Sequence, residues 1–182
     1  MEILPQSRRA LRDHKSDAKP DACGVNHPDN DPHSRRCRTN REGVLHAEDV
    51  PLTEIAASVG TPFYVYSTAT LTRHFQLFEE ALGDLPHLIC FAMKSNSNQA
   101  VIKHMASLGA GMDVVSGGEY LRAKAAGVPG DRIVFSGIGK TEDEMRLTLD
   151  GGIRQFNVES EPEMERLPRV AMSLGMVAPI TV

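Results

Sequence analysis

Lys94 closes a run of apolar residues, HLICFAM at 87–93, and stands directly before the small polar stretch SNSN at 95–98. The run is short, β-rich and continuously apolar, the pattern of a strand buried on both faces. An ammonium at the lip of such a strand costs free energy unless it snorkels, pairs or reacts. Desolvation there lowers a lysine's pKa, and the freed amine attacks carbonyl carbon. The matching chemistry is a Schiff base with an aldehyde, carried by a substrate or by pyridoxal phosphate. A snorkelling surface lysine is the plain alternative, and the run alone does not separate the two.

Three later apolar segments also end in polar or glycine-rich residues. Asp113 is followed by Ser116, Gly117, Gly118 and Glu119; Ser136 by Gly137, Ile138, Gly139 and Lys140; Asn157 by Glu159 and Ser160. Such turns, each opening a helix, suit an anionic group such as a phosphate. Ordinary polar loops after buried strands account for each turn taken singly, so the signal lies in their convergence. FSGIGKT at 135–141 comes close to a nucleotide phosphate loop, but G-x-x-x-x-G-K-[ST] requires glycine at 134, where Val134 stands. Thr141 instead reads as a helix cap, with Glu144 three residues on completing a capping box. Cys23, His27, His33 and Cys37, spaced C-x3-H-x5-H-x3-C, are four ligands of the type zinc takes. Their spacing matches no standard finger, and the residues between them are too polar for a mini-core, so no metal site is expected.

The elements that must position these residues follow a regular order. VPLTEIAASVG reads as a short amphipathic helix stopped by Gly60, and TPFYVYS at 61–67 as a strand. A helix follows over 67–83, with Ser67 or Thr68 as cap, Leu71, Phe75, Phe78 and Leu82 on one stripe, and Gly83 as stop. Short apolar strands at 87–93, 111–115, 132–135, 154–158 and 178–182 then alternate with helices near 98–108, 117–126, 141–150 and 161–174. Strict alternation predicts an α/β fold with a parallel sheet and helical crossovers. A strand-to-strand spacing of about 20 to 25 residues fits a barrel or a doubly wound sheet. In a barrel of eight strands the functional groups sit at the carboxyl ends. Five strands make either a small open sheet or part of something longer.

Of 182 residues, 41% are hydrophobic and 24% charged, which suits one globular domain. The composition changes near residue 42. Residues 1–42 carry nine Lys and Arg against seven Asp and Glu, with almost no apolar periodicity. That segment is expected to be disordered, because it cannot bury enough surface to offset its ordering entropy. Residues 43–182 hold the folded part, with a charge of −6 in a chain of net −4. This balance gives no reason to expect nucleic acid or an anionic membrane as partner. No apolar run approaches the roughly 20 residues of a membrane span, and the basic N-terminus lacks the apolar stretch of a secretory signal. Cys23, Cys37 and Cys90 make no disulfide framework, and Cys90 reads as a small buried hydrophobe. A reducing, cytoplasmic setting is expected.

Residues 43–182 closely resemble the N-terminal part of the diaminopimelate decarboxylase family, pyridoxal-phosphate enzymes built on an alanine-racemase-like barrel. The resemblance rests on GTPFYVYS (60–67), FAMKSNSN (91–98), LGAGMDVVSGGEYLRAKAAG (108–127), RIVFSGIGKT (132–141) and FNVESEPE (156–163), in order and at family spacing. It departs at Ser95, where the family commonly has alanine. The resemblance implies an α/β fold of about five of the eight βα units of a TIM barrel, without the family's C-terminal β domain. It implies Lys94 as the lysine that holds pyridoxal 5′-phosphate and returns to release product. It implies Asp113, in MDVVSGGE, as the acidic residue near cofactor and lysine. VVSGGE favours meso-diaminopimelate, decarboxylated to L-lysine, over ornithine or arginine as the small-molecule substrate. The complete family protein is a homodimer and uses no metal.

The family's later phosphate-binding loops and the catalytic cysteine and tyrosine of its C-terminal domain have no counterpart in these motifs. Cys23, Cys37 and Cys90 do not sit in that cysteine's motif. The chain by itself is therefore expected to bind cofactor weakly and not to turn over. A non-catalytic pyridoxal-phosphate-binding barrel module is the alternative, and VVSGGE and FNVESEPE point away from it. Metal analysis of the purified chain is expected to find no stoichiometric zinc, with the same result after removal of residues 1–42. One zinc per chain, lost on that removal, would reinstate the Cys and His cluster as a site.

Overall fold

The computed structural model describes residues 39–41 and 43–182. Contacts divide the chain into two units, one reaching His74 and the other Phe75–Val182. In the first, β1 (Thr39–Arg41), β2 (Val44–Ala47) and β3 (Val50–Pro51) form an antiparallel sheet in that order. The helix α1 (Leu52–Val59) follows, with Ile55 and Ala47 buried. Residues 39–41 were expected to belong to the disordered segment. They form a strand instead, ordered by backbone pairing with β2, which composition does not report. The set Cys23, His27, His33 and Cys37 lies outside the described residues.

α1 stops at Gly60, where φ is 77°, as expected. The strand expected at 61–67 is not formed: the segment has no ladder partner among the described residues, and Tyr64 is 79% exposed. Aromatic and β-branched residues favour extended backbone, but a strand also needs a neighbour to take its amides and carbonyls. The next helix, α2 (Thr68–Leu82), opens on Ser67, whose Oγ accepts the Thr70 amide at 3.0 Å. The boundary between the units falls inside it. Its predicted apolar stripe is only partly covered, for Phe75 is buried while Phe78 is 55% exposed.

In the second unit, β4 (Cys90–Ala92), β5 (Gly111–Val114), β6 (Ile133–Phe135), β7 (Gln155–Asn157) and β8 (Ile180–Thr181) pair in that order, all parallel. Between them run α3 (Gln99–Ser107), α4 (Gly117–Ala125), α5 (Glu142–Asp150) and α6 (Glu161–Ser173). Every strand therefore joins its spatial neighbour through one helix. That is the order of a (β/α) barrel, whereas a doubly wound sheet reverses order at a switch point. No helix among the described residues is long and apolar enough to cross a membrane.

The register sorts side chains onto two faces. Phe91, Met112 and Ile133 form one row, and Val114, Phe135, Phe156 and Ile180 the next. Met112, Val114, Ile133, Phe135 and Phe156 are fully buried, together with Ile102, Met145 and Leu167 from the helices. Phe135 and Phe156 stack with ring centroids 6.0 Å apart. The other face carries the row Ala92, Asp113, Val134 and Gln155, of which only Val134 is buried. The expectation that β4 is buried on both faces fails for this reason. Among the described residues β4 pairs with β5 alone, and all three of its residues, Cys90 included, are half-buried. Phe156→Ala is expected to lower the unfolding free energy by about 3 to 5 kcal/mol. Denaturant titration checks this, and a loss below about 1 kcal/mol would mean that this core is not formed.

Candidate active site at the carboxyl ends of the strands

After β4 the chain enters a 3-10 turn, Met93–Ser95, in which Met93 is fully buried and Lys94 is exposed. The polar residues that follow build the turn. Ser95 Oγ donates to the Ala92 carbonyl at 2.7 Å, and Asn96 Oδ1 accepts the Asn98 amide at 3.0 Å. Asn98 Oδ1 caps α3 by accepting the Ala100 amide at 2.9 Å. SNSN is thus a turn-and-cap element that swings the chain from strand to helix. Among the described residues Lys94 Nζ has no hydrogen-bond or ion-pair partner. The desolvated lysine expected from the apolar run is exposed among the described residues, where the 3-10 turn carries it past the end of β4.

Asp113 pairs in register with Ala92, so Lys94 lies two positions beyond Asp113's neighbour along the chain. Ser136 Oγ donates to Asp113 Oδ1 at 2.5 Å and accepts from Asn157 Nδ2 at 2.9 Å. Asn157 Oδ1 in turn accepts from Gln155 Nε2 at 2.9 Å. A polar ladder thus crosses β5, the turn after β6, and β7. Ser136 spends its only proton on Asp113, and Asp113 Oδ2 takes no hydrogen bond from the described residues. Burial, and then the Asp113 charge, push the Cys90 thiol up, against smaller opposing effects of Arg154 and Arg132. Cys90 therefore stays protonated and is a poor nucleophile.

Three amides in and beside the glycine-rich turns are taken by carboxylates. Gly117 N donates to Glu144 Oε1 at 2.7 Å, Val115 N to Glu119 Oε2 at 2.8 Å, and Gly137 N to Glu159 Oε1 at 3.2 Å. At Gly117 and Gly137 the amides that could take a phosphate hold the chain's own carboxylates. Glu144 also forms the expected capping box with Thr141. FSGIGKT is no phosphate loop, for Lys140 is 3% exposed and its Nζ donates to Glu163 Oε1 at 2.6 Å. By sequence Lys140 reads as a loop residue, because no local pattern announces an ion-pair partner 23 residues away. Ser136 and Asn157 were legible as polar ends of successive strands; their bond to each other and to Asp113 was not. Among the described residues no group of three or more His, Cys, Asp or Glu is placed to hold a metal ion.

Residues 68–182 match the family described as pyridoxal-dependent decarboxylase, pyridoxal binding domain. The chain belongs to this family. It is 54% identical over 140 residues to the diaminopimelate decarboxylase of Vibrio cholerae, covering 77% of this chain and 34% of that protein. It is 50% identical over 141 residues to that of Pseudomonas aeruginosa, covering 78% and 34%. The crystal structure of diaminopimelate decarboxylase from M. jannaschii in complex with L-lysine matches with a TM-score of 0.71 at 33% identity, covering 79% of this chain and 35% of that one. The chain spans about a third of the length of the curated relatives it matches.

The pyridoxal binding domain opens at Thr68, the first residue of α2. Pyridoxal is an aldehyde, and an exposed lysine amine without a competing partner fits that group. The Gly117 and Gly137 turns, closed by carboxylates, do not fit its phosphate.

Burial pushes the Glu144 carboxyl up, but hydrogen bonds from Gly117 and Thr141 outweigh it and hold the group below its ordinary 4.5. The stability it contributes is present above the unfolded value and is lost as pH falls through the lower folded one. Glu144→Gln is therefore expected to flatten the loss of stability between about pH 5 and pH 3. Thermal unfolding across that range checks it, and identical slopes in both proteins would contradict it.

Proposed function

We propose that this chain is the lysine-bearing part of a diaminopimelate decarboxylase, converting meso-diaminopimelate to L-lysine and carbon dioxide, with pyridoxal 5′-phosphate held on Lys94. The observation that carries the reading is the Lys94 amine, exposed and without a partner among the described residues, just past the carboxyl end of β4, the strand that pairs with the Asp113 strand. When bound, the pyridoxal ring supplies an electron sink for the bond to the departing carboxylate. Lys94 offers a primary amine that can bond to an aldehyde carbon without first breaking an ion pair. Asp113 offers a carboxylate fixed at one oxygen by Ser136 and open at the other to an N–H or cationic group. Asn157 holds Ser136 in the orientation that leaves its proton on the Asp113 side.

The choice of diaminopimelate over ornithine or arginine is supported by VVSGGE and by the identity to two relatives that bear that name. The related crystal structure that carries L-lysine supports a small amino acid as ligand. A homodimeric, cytoplasmic full-length enzyme belongs to the same reading, supported by the motif resemblance and by the three cysteines in the whole chain. The filled turns at Gly117 and Gly137 leave this part of the site short of phosphate donors.

Incubation with pyridoxal phosphate, borohydride reduction and peptide mass mapping test the assignment. The pyridoxyl label is expected on Lys94 ahead of the exposed Lys103 and Lys124, with none on buried Lys140. Equal labelling of Lys94, Lys103 and Lys124 would sink it. Release of carbon dioxide from meso-diaminopimelate by these 182 residues alone is expected to stay at the level of free cofactor.

A further inference from the structure

Lys140 and Glu163 form an ion pair with side-chain exposures of 0% and 6%, and the ammonium lies 5.7 Å from the centroid of the Phe135 ring. Lys140 has three N–H protons and three acceptors: Gly137 O at 2.7 Å, Asn157 O at 2.7 Å and Glu163 Oε1 at 2.6 Å. A buried ion pair costs desolvation that an apolar pair of the same size does not. Stability alone is therefore a weak reason for it, and its acceptors point to another. Gly137 adjoins Ser136, and Asn157 is the residue whose side chain donates to Ser136. Glu163 Oε2 accepts the Glu159 amide at 3.2 Å, and Glu159 Oε1 accepts the Gly137 amide at 3.2 Å. The circuit closes through Gly137, held at φ 94°, a conformation that glycine adopts without strain. Both backbone anchors of the Ser136–Asn157 hydrogen bond are thus tied to one ammonium.

We infer that Lys140 is a positioning residue for the cofactor-holding site. With Glu163 it clamps the turn after β6 to the end of β7, and so sets the Ser136 hydroxyl that holds the Asp113 carboxylate. This rests on the assignment of Lys94 as the pyridoxal-holding lysine.

Three variants of the full chain test it. Lys140→Met leaves Glu163 buried without its cation and is expected to lower the thermal midpoint sharply. Lys140→Met combined with Glu163→Leu removes both charges and is expected to recover most of that midpoint. In this double variant, amide hydrogen exchange over residues 136–140 and 157–160 is expected to quicken about tenfold. The borohydride-fixed label on Lys94 at sub-saturating pyridoxal phosphate is expected to fall roughly tenfold. Ser136→Ala removes only the rung that the clamp serves, leaves the ion pair intact, and is expected to lower the Lys94 label with an unchanged midpoint.

Wild-type exchange in the double variant, or wild-type Lys94 labelling in Ser136→Ala, overturns the inference. If the wild-type chain itself labels Lys94, Lys103 and Lys124 equally, the pyridoxal assignment fails instead. The exchange comparison then still decides whether Lys140 clamps the two segments.

Discussion

Parallel pairing of β4 through β8 is the constraint on which the rest of the second unit depends. A strand has a side-chain period of two, so fixing the ladder fixes which residues share a face. Once Met112 lies beside Ile133, and Phe135 beside Phe156, the apolar rows must meet the helices. Asp113 and Gln155 are then left on the opposite face with no choice of their own. The polar face is a consequence of burying the apolar one. The same pairing brings the carboxyl ends of all the strands to one edge, where Ser136 and Asn157 can reach each other.

That edge is crowded with helix starts, and the chain satisfies several of their amides internally. Glu144 reaches from α5 to the Gly117 amide of α4 while capping its own helix at Thr141. Glu119 closes back on Val115, and Glu159 on Gly137. Each carboxylate satisfies donors that would otherwise need water or an anion. The result is an edge cross-linked by carboxylate bridges, where Gly117 and Gly137 do not offer their amides to an anion.

Two lysines on this edge show how far environment decides chemistry. Lys140 is sealed, with all three protons on acceptors, and its nucleophilicity is suppressed by that engagement. Lys94 is exposed and has no partner among the described residues, and SNSN spends its polar groups on the turn and on the cap of α3.

The alternation of apolar strands and capped helices was legible from local pattern, since periodicity and capping are properties of neighbouring residues. So were the Thr141 and Glu144 box, the Gly60 stop and the candidacy of Lys94 and Asp113. Motif resemblance carried the family. The sequence did not reveal that 61–67 has no strand partner among the described residues, that Thr39–Arg41 pairs as β1, or that the residues of β4 are only half-buried. Each of these depends on what lies beside the segment in space and not on the segment itself. Nor did it reveal the buried pairing of Lys140 with Glu163 or the Asp113–Ser136–Asn157 ladder. Those contacts join residues some 20 positions apart, and only the crossover geometry of parallel strands, set by tertiary packing, brings them within hydrogen-bond reach.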